Sequence, residues 1–168
     1  TELEKIIPID LNKIKLNQSK YSFLTNDAGG IYDDLIVTKV EKGFNIILNA
    51  ACKNNDFKII SGALKNKFKI TLHKNLSLIA LQGPKAKQCL GEIFDVDLEP
   101  FHIQTLDDVM IARTGYTGEV GFEIISNASR GLELWNHFIE KGIKPVGLAA
   151  RDTLRLEAGF NLYSSDMT

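Results

Sequence analysis

Apolar and polar positions along the chain change period several times, and each change predicts an element. Leu3, Ile6 and Ile7 are spaced as on a helix at the start of the chain. Tyr21–Leu24 reads as a short strand ending in the turn Asn26-Asp27-Ala28-Gly29-Gly30. Ile31–Val40 is a second strand, and Glu41-Lys42-Gly43 turns into a third, Phe44–Asn49. Phe57, Ile60 and Leu64 have helical spacing within Asp56–Leu64. Phe68, Ile70 and Leu72 then alternate, which predicts a half-buried strand. Leu76–Leu81 is an apolar strand closed by Gly83-Pro84, and Ala86, Cys89, Leu90, Ile93 and Phe94 mark a second helix. Val109–Thr114 and Phe122–Ser126 form a strand pair around a glycine-rich link. Leu132, Trp135, Phe138 and Ile139 mark a third helix, Pro145–Leu148 a short strand, and Ala149–Ala158 a fourth helix. Strands come in adjacent pairs with single helices between them. This predicts the α+β class, with a mixed, largely antiparallel sheet and helices on one face, and split βαβ units of ferredoxin-like type fit it. No repeat, linker or low-complexity tract interrupts the pattern.

Composition narrows the class of protein. The chain has 168 residues, 44% of them hydrophobic and 24% charged, with a formal net charge of −1. That length suggests one domain, or one large domain with a satellite, able to bury roughly 70% of its unfolded surface without a metal or disulfide staple. The near-zero charge excludes a wholesale basic surface, so no nucleic-acid partner is expected. No apolar run is long enough for a membrane span, and none is expected. Thr1–Pro8 lacks the pattern of a signal peptide. The chain starts at Thr1 without Met and stops at Thr168, and both ends read as cut from a longer protein. Cys52 and Cys89 form neither a disulfide framework nor a metal knuckle and read as small buried apolar residues.

The charge is unevenly placed. Residues 1–84 sum to +4 and residues 85–168 to −5. Lys53, Lys58, Lys65, Lys67, Lys69 and Lys74 lie in one stretch opposed only by Asp56. This is either a solvated face or a patch for an acidic partner or a polyanionic substrate tail.

Several motifs fail as chemistry. Gly115, Gly118 and Gly121 have the spacing G-x-x-G-x-x-G and precede a strand, whereas a dinucleotide site needs a helix there. They read instead as positive-φ positions in a tight hairpin. Gly83-Pro84-Lys85 lacks the surroundings of a phosphate loop. His73, His102 and His137 have no ligand partners at metal spacing, so no metal is expected. No serine or cysteine has the setting of a covalent nucleophile.

Carboxylates and arginines are more informative. Asp33 and Asp34 interrupt an apolar strand, and alternation sends them to opposite faces. If Leu35 and Val37 share one face, Asp33 joins them and Asp34 points with Ile36. A partly buried carboxylate suits acid–base or cation-stabilising work. The alternative is a turn cap or bulge beside Gly29-Gly30. Glu123, between Phe122 and Ile124, either faces solvent or accepts hydrogen bonds from a partner or ligand. The chain has 16 Lys but only four Arg, and Arg113, Arg151 and Arg155 lie beside these motifs. The plainer reading makes Arg151 and Arg155 an exposed stripe with Asp152 and Glu157.

Four segments in order carry a resemblance. They are Asn26-Asp-Ala-Gly-Gly-Ile-Tyr-Asp-Asp-Leu-Ile-Val, Leu81-Gln-Gly-Pro, Arg113-Thr-Gly-Tyr-Thr-Gly-Glu-Val-Gly-Phe-Glu-Ile, and Gly147-Leu-Ala-Ala-Arg-Asp-Thr-Leu-Arg-Leu-Glu-Ala-Gly-Phe-Asn-Leu-Tyr. Together they resemble the T-protein (aminomethyltransferase) family of the glycine cleavage system. The resemblance implies that residues 1–168 are the central folate-binding region of a longer chain, with the family's N- and C-terminal parts absent. It implies transfer of the methylene of the aminomethyl group, carried on the lipoyl arm of the H-protein, to tetrahydrofolate with release of ammonia. By motif, Asp34 is the critical aspartate, Glu123 the pterin-binding glutamate and Arg151 the arginine of Ala-Ala-Arg-Asp. Tyr21 and Tyr116 match aromatic positions lining the folate site. Phe160 stands where relatives can have Tyr, and Ser164-Ser165-Asp166 departs from the family's Gly-x-Asp. The partners implied are the H-protein and folate, and the location is cytoplasmic in bacteria or mitochondrial in eukaryotes.

Rival readings share these motifs. Folate-dependent demethylases and the folate domains of dimethylglycine and sarcosine dehydrogenases use other donors. A non-catalytic folate-binding module is the second rival. Iron–sulfur assembly relatives carry a Gly-Cys-Tyr-x-Gly-Gln segment where this chain has Gly-Tyr-Thr-Gly-Glu, without Cys. A third reading has the 168-residue piece inert by itself.

Overall fold

A computed structural model of the chain describes residues 1–65 and 67–167. They divide into two units with separate cores. The first comprises Thr1–Leu72 and Leu162–Thr168, the second His73–Asn161.

The first unit opens with two short 3-10 helices, Leu3–Lys5 and Leu11–Lys13, in place of the helix expected there. Three strands follow: β1 (Ser19–Thr25), β2 (Ile31–Val40) and β3 (Gly43–Leu48). They pair antiparallel in that order. The β1–β2 turn is closed by Asn26, whose Oδ1 accepts from the backbone N–H groups of Ala28 and Gly30 at 2.9 Å each. Helix α1 (Lys53–Leu64) then sets Ile60 and Leu64 against Leu24, Leu35 and Val37 of the sheet and Leu3, Ile7, Leu11 and Ile14 of the N-terminal segment. Because side chains alternate along a strand, the face of β2 that buries Leu35 and Val37 also buries Asp33.

The second unit runs β4 (Leu76–Gln82), α2 (Ala86–Gly91), β5 (Ile103–Leu106), β6 (Val109–Ala112), β7 (Gly121–Asn127), α3 (Ala128–Glu140) and α4 (Leu148–Glu157). Its sheet order is β4-β7-β6-β5, antiparallel throughout. The α+β class and the antiparallel pairing expected from the sequence hold. Helix α2 joins β4 and β5, which lie at the two edges of the sheet with β7 and β6 between them. One face of the sheet, with Phe122, Ile124, Ile111 and Leu81, forms the core with Leu90 and Phe94 from the α2 region and Leu134 and Phe138 of α3. Helix α3 begins where Asn127 accepts from Arg130 N at 2.9 Å, an ordinary N-cap.

Four local expectations are corrected. Residues 67–75 form no strand: Phe68 is exposed, Ile70 alone packs on the first core, and the chain passes to the second unit. Alternation makes a strand only where another strand offers a ladder. Residues 145–147 are not a strand, since Gly147 caps α4. Strand β5 has no counterpart in the sequence pattern. Its turn to β6 is Asp107-Asp108, with Asp107 at φ 51°, a weaker hairpin signal than Asn-Gly. Cys52 and Cys89 are free and only half-buried.

Candidate active site

The candidate residues fall into two groups, one in each unit. In the first unit Asp34 and Tyr21 come together. Tyr21 lies opposite Ile36 in the β1–β2 register, so its side chain shares a face with Asp34. Its hydroxyl donates to Asp34 Oδ2 at 2.8 Å. The other carboxylate oxygen, Oδ1, accepts from Asn49 Nδ2 at 2.5 Å. Asn49 follows directly after β3. The same nitrogen donates to Asp33 Oδ1 at 2.8 Å, and that oxygen also accepts from the backbone N–H of Asp34 at 2.9 Å. Asp34 is half-buried and held from both sides, whereas Asp33 is fully buried. Alternation thus assigns the reachable carboxylate to Asp34.

Asn49, which holds this candidate group together, was not singled out by sequence reasoning. Its signal was present: a polar amide at the end of the apolar run Ile46–Leu48. Nothing local shows that pairing of β2 with β3 returns it to Asp33 and Asp34, fifteen or so residues earlier in the chain.

Around these groups lie further titratable side chains. Burial, with Asp33 and Asp56 beside it, pushes the Cys52 thiol up. Burial and the same neighbours push up the Tyr163 phenol.

In the second unit Glu123 lies on the sheet face opposite Phe122 and Ile124, between Ala80 of β4 and Ala112 of β6. Small neighbours on both sides leave the carboxylate accessible, and it is half-buried. Thr114 Oγ1 donates to Glu123 Oε2 at 2.5 Å, and no other described protein group donates to it. Its remaining acceptor sites are therefore open to a ligand with two adjacent N–H donors.

The link between β6 and β7 also carries Tyr116. Its hydroxyl donates to the carbonyl of Asn161, and its ring stacks on Phe160 with centroids 5.8 Å apart and planes 17° apart. The Arg151 guanidinium sits 4.4 Å from the Tyr116 ring centroid, a cation–π contact. The structure thus sets Arg151 against an aromatic face. Arg155 is not part of an exposed stripe. It is 5% exposed, with Nε donating to Asp152 at 2.8 Å and a terminal nitrogen donating to the Phe160 carbonyl at 3.1 Å.

The glycines of the link are explained differently from the hairpin expectation. Only Gly118 has a positive φ, 75°. At Gly115 and Gly121 an added Cβ would fall 2.0 and 2.1 Å from Gln82 Oε1. The Gln82 side chain occupies that space while its Nε2 donates to the carbonyls of Thr114 and Phe122 at 3.1 Å each.

Two surface depressions hold none of these residues. One, of about 540 Å³, lies along α3 near Arg130 and His137, and the other, of about 390 Å³, near Ile9 and Lys20. No group of three or more metal-ligating side chains occurs among the described residues.

The fold and the order of these motif-bearing segments define a protein class. The whole chain, residues 1–168, matches the family described as the GCVT N-terminal domain, and it belongs to that family. Among individual relatives, it is 40% identical to an aminomethyltransferase of Francisella philomiragia, with 98% of this chain and 49% of that protein covered. It is 38% identical to an aminomethyltransferase of Alcanivorax borkumensis, covering 98% and 48%. The crystal structure of glycine cleavage system aminomethyltransferase T from Bartonella henselae superposes with a TM-score of 0.91 at 36% identity, covering 99% of this chain and 48% of that one. The resemblance read from the four segments is thereby borne out. The chain spans about half the length of the relatives it matches.

Proposed function

We propose that the complete protein carrying this chain is an aminomethyltransferase of glycine cleavage, which moves the methylene of an aminomethyl-lipoyl H-protein to tetrahydrofolate and releases ammonia. The observation that carries this reading is the Asp34 carboxylate, clamped by Tyr21 and Asn49 on a face of the sheet that solvent reaches. As the donor's C–N bond breaks, positive charge develops on the methylene carbon. A carboxylate already fixed in place stabilises that charge without reorganising during the reaction.

The second unit supplies recognition. A pterin presents ring N3–H and its 2-amino group side by side. Glu123 accepts both, oriented by Thr114, and the open acceptor sites described above fit that donor pair. A site built on both donors rejects ligands that lack them. Tyr116 offers a flat face with a polar tip, and Arg151 fixes the position of that ring. Residues 1–168 are in this reading the folate-binding region of the longer protein. The lysine-rich stretch would meet an acidic H-protein or a folate polyglutamate tail.

The test is turnover by the complete protein. Aminomethylated H-protein with tetrahydrofolate should give 5,10-methylenetetrahydrofolate and ammonia. Faster turnover with dimethylglycine or a sulfonium donor would reassign the donor, and folate binding without turnover of any donor would make the protein a binding module.

A further inference from the structure

The first unit buries two carboxyl groups for which the reaction proposed above has no use. Asp33 in β2 and Asp56 in the first turn of α1 are both 0% exposed. Asp33 Oδ1 has two donors, the Asp34 backbone N–H and Asn49 Nδ2. Asp33 Oδ2 and both oxygens of Asp56 have no donor among the described residues. Neither side chain forms an ion pair among those residues, although the two carboxyl groups lie within hydrogen-bonding reach of each other.

Two carboxylates are acceptors only, so a buried pair in contact has to share a proton. The surroundings decide where it sits. The Asp33 anion is stabilised by two N–H donors, and the Asp56 anion would have none. The proton therefore belongs on Asp56, whose O–H then donates to Asp33 Oδ2. With that bond made, Asp33 is satisfied at both oxygens. Its Oδ1 can hold one hydrogen of the Asn49 amide while the other hydrogen holds Asp34.

We propose that Asp56 is a positioning residue: its carboxylic acid fixes Asp33, which fixes the Asn49 amide, which in turn holds the Asp34 carboxylate. The proposal rests on the role given to Asp34 above. The groups facing the pair are Asp34 from β2, Cys52 at the start of α1, and Tyr163 from the 162–168 segment. The 3-10 turn packed on α1 buries Leu3, while its Glu4 accepts from Leu11 N and its Lys5 pairs with Glu2. Burial first, then the Asp33 carboxylate, raises the Asp56 carboxyl to about 7. The chain of hydrogen bonds therefore loosens as pH rises through neutrality.

The experiment uses the complete protein. Asp56→Asn keeps a neutral side chain with an N–H donor for Asp33, whereas Asp56→Ala removes the donor. In the unaltered protein kcat should fall as pH rises through about 7. Asp56→Asn should flatten that limb. Asp56→Ala should lower kcat by about tenfold or more, with a smaller change in KM for tetrahydrofolate. An infrared titration with labelled aspartate, which needs no substrate, should show a protonated carboxyl that ionises near the same pH and is missing from Asp56→Asn. A limb that persists in Asp56→Asn, or the lack of a protonated carboxyl at pH 6, overturns the proposal. If no donor is turned over by any form, the functional reading fails, and the infrared titration alone still decides where the proton sits.

Discussion

Asp33 and Asp34 are chemically identical neighbours, and only the pleat of β2 tells them apart. One enters the core with Leu35 and Val37, and the other is left for Tyr21 and Asn49 to hold. If Asp34 stabilises charge in the reaction, Asp34→Asn should lower kcat by about 10²–10³ while the protein folds normally, as removal of a preorganised electrostatic group does. Steady-state kinetics beside a thermal melt checks this, and near-normal turnover would remove the role. Glu123→Ala should weaken tetrahydrofolate binding by about tenfold or more, the scale of a lost hydrogen bond to a charged group. Calorimetric titration measures it, and unchanged affinity would count against the assignment. Asp56 links fold and pH. Its unfolded value is the ordinary 3.8 and its folded value about 7, so between the two the folded state holds a proton that the unfolded chain releases. The stability carried by that proton is complete below the lower value and is lost as pH rises through the higher one. Melting temperatures of the unaltered protein should therefore fall from pH 5 to pH 8 relative to those of Asp56→Asn. The alternation that separates Asp33 from Asp34 was readable in the sequence. The partners of these residues, Asn49 and Asp56, were not, because strand pairing and helix packing bring them from 15 or more positions away.

Elements with a continuous apolar signal were legible, and those whose identity depends on a neighbour were not. β2, β4, β7, α1 and α3 fall where the pattern put them, because each carries enough apolar side chain to specify its own buried face. The alternation of Phe68, Ile70 and Leu72 had the right period but no edge to pair with, and β5 is four residues long. The β6–β7 link shows the same dependence. Its glycines read as turn residues, yet two of them exist to admit Gln82 from β4. Gly121→Ala should break one or both Gln82 hydrogen bonds and destabilise the protein by about 1–3 kcal/mol. Chemical denaturation measures the loss. In a double-mutant cycle with Gln82→Ala the two changes should cost less together than their sum, since the clash is gone once the side chain is shortened. Additive losses would mean that Gly121 is constrained by its backbone rather than by Gln82. Helix α4 buries only Arg155, so its placement rests on the Arg155 bonds and on the close approach of Gly118 to Ala158. That placement in turn sets Arg151 over Tyr116.

Over the whole molecule, the basic first half and the acidic second half remain an organising feature. Among the lysines after α1, Lys67 is already paired with Glu2 at 3.3 Å, while Lys65 and Lys69 are exposed. If the proposed function holds, reversing charge at Lys65 and Lys69 should raise the apparent KM of the complete protein for H-protein, with the effect shrinking as salt is added. An effect that ignores salt, or no effect, would remove this stretch as a docking face. No described helix is long and apolar enough to cross a membrane. The sequence alone determined the α+β class and the family, because these depend on local periodicity and on short motifs whose order along the chain is itself diagnostic. Only the tertiary structure decided that the chain builds two cores rather than one, that Arg151 lies over the Tyr116 ring, and that Asp33 and Asp56 are both fully buried. Each of those depends on which distant segments meet, and burial then sets the charge state of what they bring together.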